Sequence, residues 1–242
     1  MKHDGLFGRL RYQAGDVWHA IQDRVLMWQT TRSGGSYADF YAAKMDRKAR
    51  KIGVEVNGRP EDKAFHLAFL KKHGMVPSMR LLDYGCGAAT AGVVFIAYLD
   101  EGGYTGADVS REVLNLAQER LGPAGLATKR PTFVHLAGGS LEPLAGRQFD
   151  RIWAQSVVSH MPADMVQSLL HGVKRLLAPE GAFFATFTYS DRSGLQTRVK
   201  NFDYHPDDLL AMASAAGLSA SVVDGWVHPT SALDRMLKVV HK

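Results

Sequence analysis

At 242 residues, with 46% hydrophobic and 22% charged residues, the chain has the composition of an ordinary globular protein, long enough for one α/β domain with an extension. Its single cysteine, Cys86, excludes an intramolecular disulfide, and no run approaches the ~20 apolar residues that span a bilayer. The opening MKHDGLFGRLRY lacks the continuous apolar segment of a signal peptide, so a cytoplasmic protein is expected.

The net charge is +5, and the excess is uneven: Lys44 to Lys51 reads KMDRKARK and holds five positive charges, with Lys71, Lys72 and Arg80 shortly after. Such patches attract nucleic acid, anionic lipid or acidic metabolites. No nucleic-acid motif accompanies this one, so it reads first as a solvated helix face.

Leu6, Leu10, Ala14, Val17, Ile21, Val25 and Trp28 recur at spacings of three and four, which predicts an amphipathic helix over 6–28. Gly8 and Gly15 weaken it and allow two pieces. A helix packed on the domain is expected; a lid, a dimer contact and an interfacial membrane helix are the alternatives. Ser33-Gly34-Gly35-Ser36 is a break, Tyr37 opens a second helix to about Lys51, Asn57-Gly58-Arg59-Pro60 is a turn, and Glu61 to His73 reads as a third helix. Residues 1–60 are therefore expected as a helical extension, and 61–242 as the main domain.

Arg80 to Gly92 reads RLLDYGCGAATAG: a buried strand, a tight glycine turn and a helix start. Gly85 and Gly87 can take positive φ and let a ligand lie against the backbone. Thr90 stands where a dinucleotide fingerprint has its third glycine, and no Gly-Lys-Ser/Thr of a phosphate loop follows. Asp83, just before the glycines, would repel a pyrophosphate and suits a ligand carrying an ammonium and a sulfonium. Strands then follow at Tyr104–Asp108, Phe133–Leu136, Phe149–Ala154 and Ala182–Thr188, separated by a helix capped by Ser110 and another over 163–177, with a turn at Pro179-Glu180-Gly181. A polar loop from Tyr189 to His205, a helix over 206–216, and strands at 219–223 and 237–241 complete the chain. This alternation predicts a Rossmann-like, doubly wound, mostly parallel sheet with ligands at the carboxyl ends of its strands. Asp108, about twenty residues past the glycines, can accept two hydrogen bonds from ribose hydroxyls; capping the next helix is its other reading.

Asp83-Tyr84-Gly85-Cys86-Gly87 resembles motif I of the class I S-adenosylmethionine-dependent methyltransferases, with Ala89 where many members carry a third glycine. The resemblance runs from about Phe65 to the C-terminus. It implies a seven-stranded sheet with an antiparallel last strand, S-adenosylmethionine as cofactor, Asp108 on its ribose and Val109 on its adenine. The acid that often follows strand three is replaced by Ala137, leaving the backbone from Ala137 and Gly138 to Ser140 to read the adenine. Gln155 is placed to touch the cofactor, and His160, just past strand four, is the candidate base, with a structural hydrogen bond as its other reading.

Tyr37, Tyr41, Tyr189, Arg192 and Tyr204 are candidates for the acceptor pocket. No metal is expected, since the ten histidines form no H-x-x-x-H pair and no paired-carboxylate cluster. The Asp/Asn-Pro-Pro-Tyr signature of many adenine and glutamine methyltransferases is absent at Ala154-Gln155-Ser156-Val157. The sequence thus predicts a methyltransferase acting on an O or N atom of a small molecule, as a monomer or homodimer without nucleic acid or a membrane span, peripheral membrane contact remaining open. The competing readings are a non-catalytic cofactor-binding protein, an RNA- or lipid-directed methyltransferase, and an NAD-dependent oxidoreductase.

Overall fold

The structure, a computed structural model, describes residues 5–57, 63–192, 195–227 and 234–242. Its centre is a parallel run of five strands in the order β3-β2-β1-β4-β5, where β1 is Leu81–Tyr84, β2 Tyr104–Asp108, β3 Thr132–His135, β4 Phe149–Ala154 and β5 Leu177–Tyr189. β9 (Asp234–His241) lies antiparallel on β5, and β8 (Leu218–Val222) antiparallel on β9, which gives the expected seven-stranded frame. Side chains alternate across such strands. Leu82 and Tyr84 therefore face α6 (Ala163–Leu176) and α7 (Pro206–Ala215), while Leu81 joins Trp153 and Phe184 under α3 (Ala64–Lys72) and α4 (Gly92–Tyr98). Each large apolar side chain buried on either face contributes about 1.5–3 kcal/mol. α5 (Arg111–Leu121) begins after Ser110, whose side chain accepts from the Val113 N–H (3.3 Å).

Three expectations are corrected. The polar loop 189–205 contains a hairpin, β6 (Leu195–Arg198) and β7 (Asn201–Tyr204), and β7 adds to the end of β5 beyond β4. The turn at 179–181 lies inside β5: the partners jump from Phe149↔Leu177 to Arg151↔Ala182, and the intervening residues bulge out with Pro179 and Glu180 exposed. Finally, α1 (Gly5–Arg32) is one helix rather than two pieces.

α1 packs on α2 (Tyr37–Ile52), but not through its predicted stripe. Ala20, Asp23, Leu26, Met27 and Thr30 turn inward, whereas Trp18 (60%), Ile21, Val25 and Trp28 (58%) are exposed; the side chains of the earlier stripe residues lie outside the described part. The reason is electrostatic. Asp23 is buried (7%) and bonds both Lys44 of α2 and Lys200 in the β6–β7 turn, so turning it outward would leave two half-buried ammonium groups without their carboxylate. α2 itself starts at a reciprocal cap, Ser36 with Asp39, and is tied to α5 because the Ser110 hydroxyl and the Glu112 N–H both donate to Asp46. α2 thereby lies across the carboxyl ends of β1 and β2.

Candidate active site

Beneath α2, at the point where β1 is flanked by β2 on one side and β4 on the other, is a cavity of about 270 Å³. Open α/β sheets bind their ligands at such a reversal of strand order. Its floor is the turn after β1. The Gly85 and Cys86 N–H groups both donate to the Ala107 carbonyl (2.7 and 3.1 Å), which pins the turn to β2. Gly85 has φ +74°, and a Cβ there would come within 2.5 Å of Val157 Cγ2, so the turn can be this tight only with glycine. Ala89, where the resemblance expects glycine, is also left-handed (φ 50°), at a cost of about 1–2 kcal/mol for a residue with a Cβ.

Asp108 ends β2 and lines the cavity. The Gly87 N–H donates to its Oδ2 and the Ser110 N–H to its Oδ1, both at 2.9 Å. Each oxygen therefore has one backbone donor and one lone pair left for a second. Burial raises its pKa above the ordinary carboxylate value, against those N–H groups, which lower it. The cap of α5 is made by Ser110, so Asp108 is not needed for it. Val109 and Leu136 line the cavity beside Asp108.

The opposite wall is the segment after β4, with Gln155, Ser156, Val157 and His160. Ser156 is left-handed (φ 57°) and its N–H donates to Thr186 Oγ1 at 2.7 Å, fixing the segment to β5. His160 Nδ1 lies 2.9 Å from the Lys200 carbonyl. A carbonyl only accepts, so Nδ1 carries the proton and Nε2 keeps its lone pair. Burial, with the Lys200 and Lys44 charges, pushes the imidazole below its ordinary value, and the Tyr41 ring stacks on it at 5.5 Å. His160, Tyr41, Met45 and Lys48 also line a second cavity of about 920 Å³ between α1, α2 and the hairpin.

Of the predicted site residues, Gly85, Gly87, Asp108, Val109, Gln155, His160, Tyr37 and Tyr41 line the smaller cavity. Asp83, Cys86, Ala137 and Gly138 do not. Cys86 is buried behind the turn, its thiol against the Gly87 carbonyl (3.5 Å). Ala137 and Gly138 are exposed at the end of β3. Tyr204 is core rather than pocket, its hydroxyl donating to the Met161 carbonyl (2.6 Å). Tyr189 stacks under Arg235, and Arg192 is exposed with its N–H on Ser190. Sequence reasoning does not name the rest of this face of α2: Met45 and Lys48 continue from Tyr37 and Tyr41 at helical spacing and also line the cavity.

Asp83 sits under the turn, buried, accepting from the Tyr104 hydroxyl (2.8 Å). Burial pushes it up to about 7, against that hydrogen bond. Between its unfolded value, roughly 3.9, and this raised one, the folded state holds a proton that the unfolded state releases, so stability falls as pH rises through the interval. Asp83→Asn, which keeps the acceptor without the charge, should raise Tm at pH 8 by about 2–4 °C for each kcal/mol relieved and leave it unchanged at pH 4. Equal effects at both pH values in thermal unfolding would show that the charge is not what costs stability.

Among the described residues, no group of three or more His, Cys, Asp or Glu side chains could hold a metal ion, and no helix is long and apolar enough to cross a membrane.

A methyltransferase-domain family matches residues 82–183. The chain is 32% identical over 143 residues to a probable methyltransferase, ltbC, of Aspergillus luteorubrus, covering 57% of this chain and 48% of that protein. It is 36% identical over 102 residues to the methyltransferase GfsG of Streptomyces halstedii, covering 42% of this chain and 35% of that one. The chain thus spans half or less of the length of these curated relatives. A similar fold is the magnesium protoporphyrin IX methyltransferase of Synechocystis PCC 6803 with bound S-adenosylhomocysteine, with TM-score 0.63, 16% identity, and coverage of 84% of this chain and 97% of that one. Residues 82–183 thus match a methyltransferase-domain family, and the chain shares its fold with that solved methyltransferase.

Proposed function

We propose that the chain transfers a methyl group from S-adenosylmethionine to an oxygen or nitrogen atom of a small molecule. The observation that carries this reading is the pairing of Asp108, held by two N–H groups with a lone pair left on each oxygen, with His160, whose Nε2 is unprotonated across the same cavity. The donor set suits the cofactor: Asp108 for the ribose hydroxyls, Val109 and Leu136 for the adenine faces, and the backbone of Gly85 and Gly87 for close approach. Gln155 lies on the wall where the reacting end would be. Asp83, Cys86, Ala137 and Gly138 take no direct part in this assignment; Asp83 and Cys86 support the turn from behind.

The bound cofactor supplies an electrophilic methyl on a sulfonium. The protein must then orient the acceptor, exclude water and manage one proton. His160 Nε2 accepts that proton from the acceptor's hydroxyl or ammonium, while the Nδ1–H bond to Lys200 fixes the ring and its tautomer. Tyr37 and Tyr41 contribute a wall from α2, and α1 and α2 act as a cap over the site.

Calorimetric titration with S-adenosylhomocysteine, and separately with NADH, tests the reading. Micromolar binding of the first and none of the second is expected. Absence of S-adenosylhomocysteine binding overturns the assignment, and NADH binding in its place moves the protein to the oxidoreductases. Binding without methyl transfer to any of a broad panel of phenols, amines and carboxylates would favour a cofactor-binding protein without turnover.

A further inference from the structure

The larger cavity adjoining the site is charged with one sign. Seven lysine and arginine side chains line it, from α1, α2 and the β6–β7 hairpin, against one carboxylate, Asp23. That carboxylate is already shared: it bonds Lys44, and its Oδ2 lies 3.3 Å from Lys200 Nζ. Arg47, Lys48 and Lys51, on one side of α2, therefore bring charge to the cavity that Asp23 does not offset. None of the three side chains has a hydrogen bond or ion pair among the described residues. Lys48 lines both cavities, and burial together with the Lys200 charge lowers its pKa.

Like charges gathered along one concave surface repel one another. The arrangement is one that an anion would relieve. The rest of the lining is mixed, with Leu26, Met45, Ile52, Val199 and the Tyr41 ring beside His19, Gln22 and Thr197, and its apolar part suits a carbon skeleton more than a bare ion. His160 stands where the two cavities meet, so a molecule held by its charge in the larger one has its uncharged part directed to the base.

We propose that the methyl acceptor is a small organic anion. Its carboxylate or phosphate group is held by Arg47, Lys48 and Lys51, with its body on the apolar part of the lining and its nucleophilic atom at His160. This rests on the methyl-transfer reading above. It also revises the first view of the Lys44–Lys51 segment as a merely solvated face: part of that segment faces a cavity instead.

The test uses the intact chain and two probes, citrate for carboxylates and inorganic pyrophosphate for phosphates, titrated calorimetrically at low salt with and without saturating S-adenosylhomocysteine. Saturable binding of at least one probe is expected, weakened about ten-fold or more in an Arg47→Gln/Lys51→Gln double variant. Both side chains are exposed, and S-adenosylhomocysteine affinity in that variant should stay within about two-fold of the parent chain. The probe that binds more tightly identifies the head group. No binding of either probe below about 10 mM, or equal binding in the double variant, overturns the proposal. Tighter binding of oligouridylate than of both small anions, lost in the same variant, overturns it in favour of nucleic acid. A chain that binds the anions but not S-adenosylhomocysteine would keep the anion site and sink the cofactor reading, so the two failures are separable.

Discussion

Asp108→Ala is expected to weaken S-adenosylhomocysteine binding by about 10²–10³-fold, measured by calorimetry. The figure follows from the geometry. Each Asp108 oxygen has one backbone N–H donor and one lone pair to offer, and hydrogen bonds to a charged group contribute about 1.5–3 kcal/mol each. Two such bonds to a ribose diol give about 3–4 kcal/mol after allowing for non-additivity, or two to three orders of magnitude. The Gly87 and Ser110 N–H groups also lose their acceptor in the alanine variant, so thermal unfolding must accompany the titration. Asp108→Asn separates the two effects. Its single carbonyl oxygen can satisfy only one of the two N–H groups, and its amide then faces the other. An intermediate loss of affinity is expected, with a fold that remains cooperative. If both variants bind S-adenosylhomocysteine as tightly as the parent chain, Asp108 does not hold the ribose, and another group must carry that contact.

Local features of this site were legible in the sequence because their causes are local. Gly85 and Gly87 announce a left-handed turn whatever surrounds them, and both take positive φ. Asp108 is found by counting to the end of the next strand, and Ser110 by the helix it precedes. The parts that were misread are set by distant partners. The apolar stripe of α1 predicted its own burial, but the inward face was decided by Asp23 meeting Lys44 and Lys200, which lie 21 and 177 residues further along the chain. The hairpin hidden in the polar loop did leave a signal: Phe202 and Tyr204 alternate with polar neighbours and are the buried residues of β7. Residue type alone makes Tyr204 a pocket candidate, whereas its spacing from Phe202 marks it as core.

That hairpin matters for function because its turn provides the Lys200 carbonyl that sets the His160 tautomer. His160 is the first side chain whose replacement should separate chemistry from cofactor binding. His160→Gln is expected to lower kcat at pH 7 by about 10²–10⁴-fold for a hydroxyl acceptor, the usual contribution of a positioned base, and to leave S-adenosylhomocysteine affinity within a few-fold. The pH profile carries the sharper prediction. Burial and the Lys200 and Lys44 charges hold the imidazole below its ordinary value, so the neutral base predominates at pH 7. In the parent chain log kcat/KM should climb with unit slope at acid pH and level off before about 6.5, the ordinary histidine value. The same burial makes the contribution of His160 to folding stability rise with pH up to about 6.5 and no further, because below that point the unfolded chain binds the proton that the folded one refuses, opposite in sign to the contribution of Asp83. In His160→Gln the acid limb of the rate profile should vanish with the residual activity otherwise flat. An unchanged limb in the variant would assign it to the acceptor's own ionisation and reduce His160 to a structural contact between the β4 segment and the hairpin.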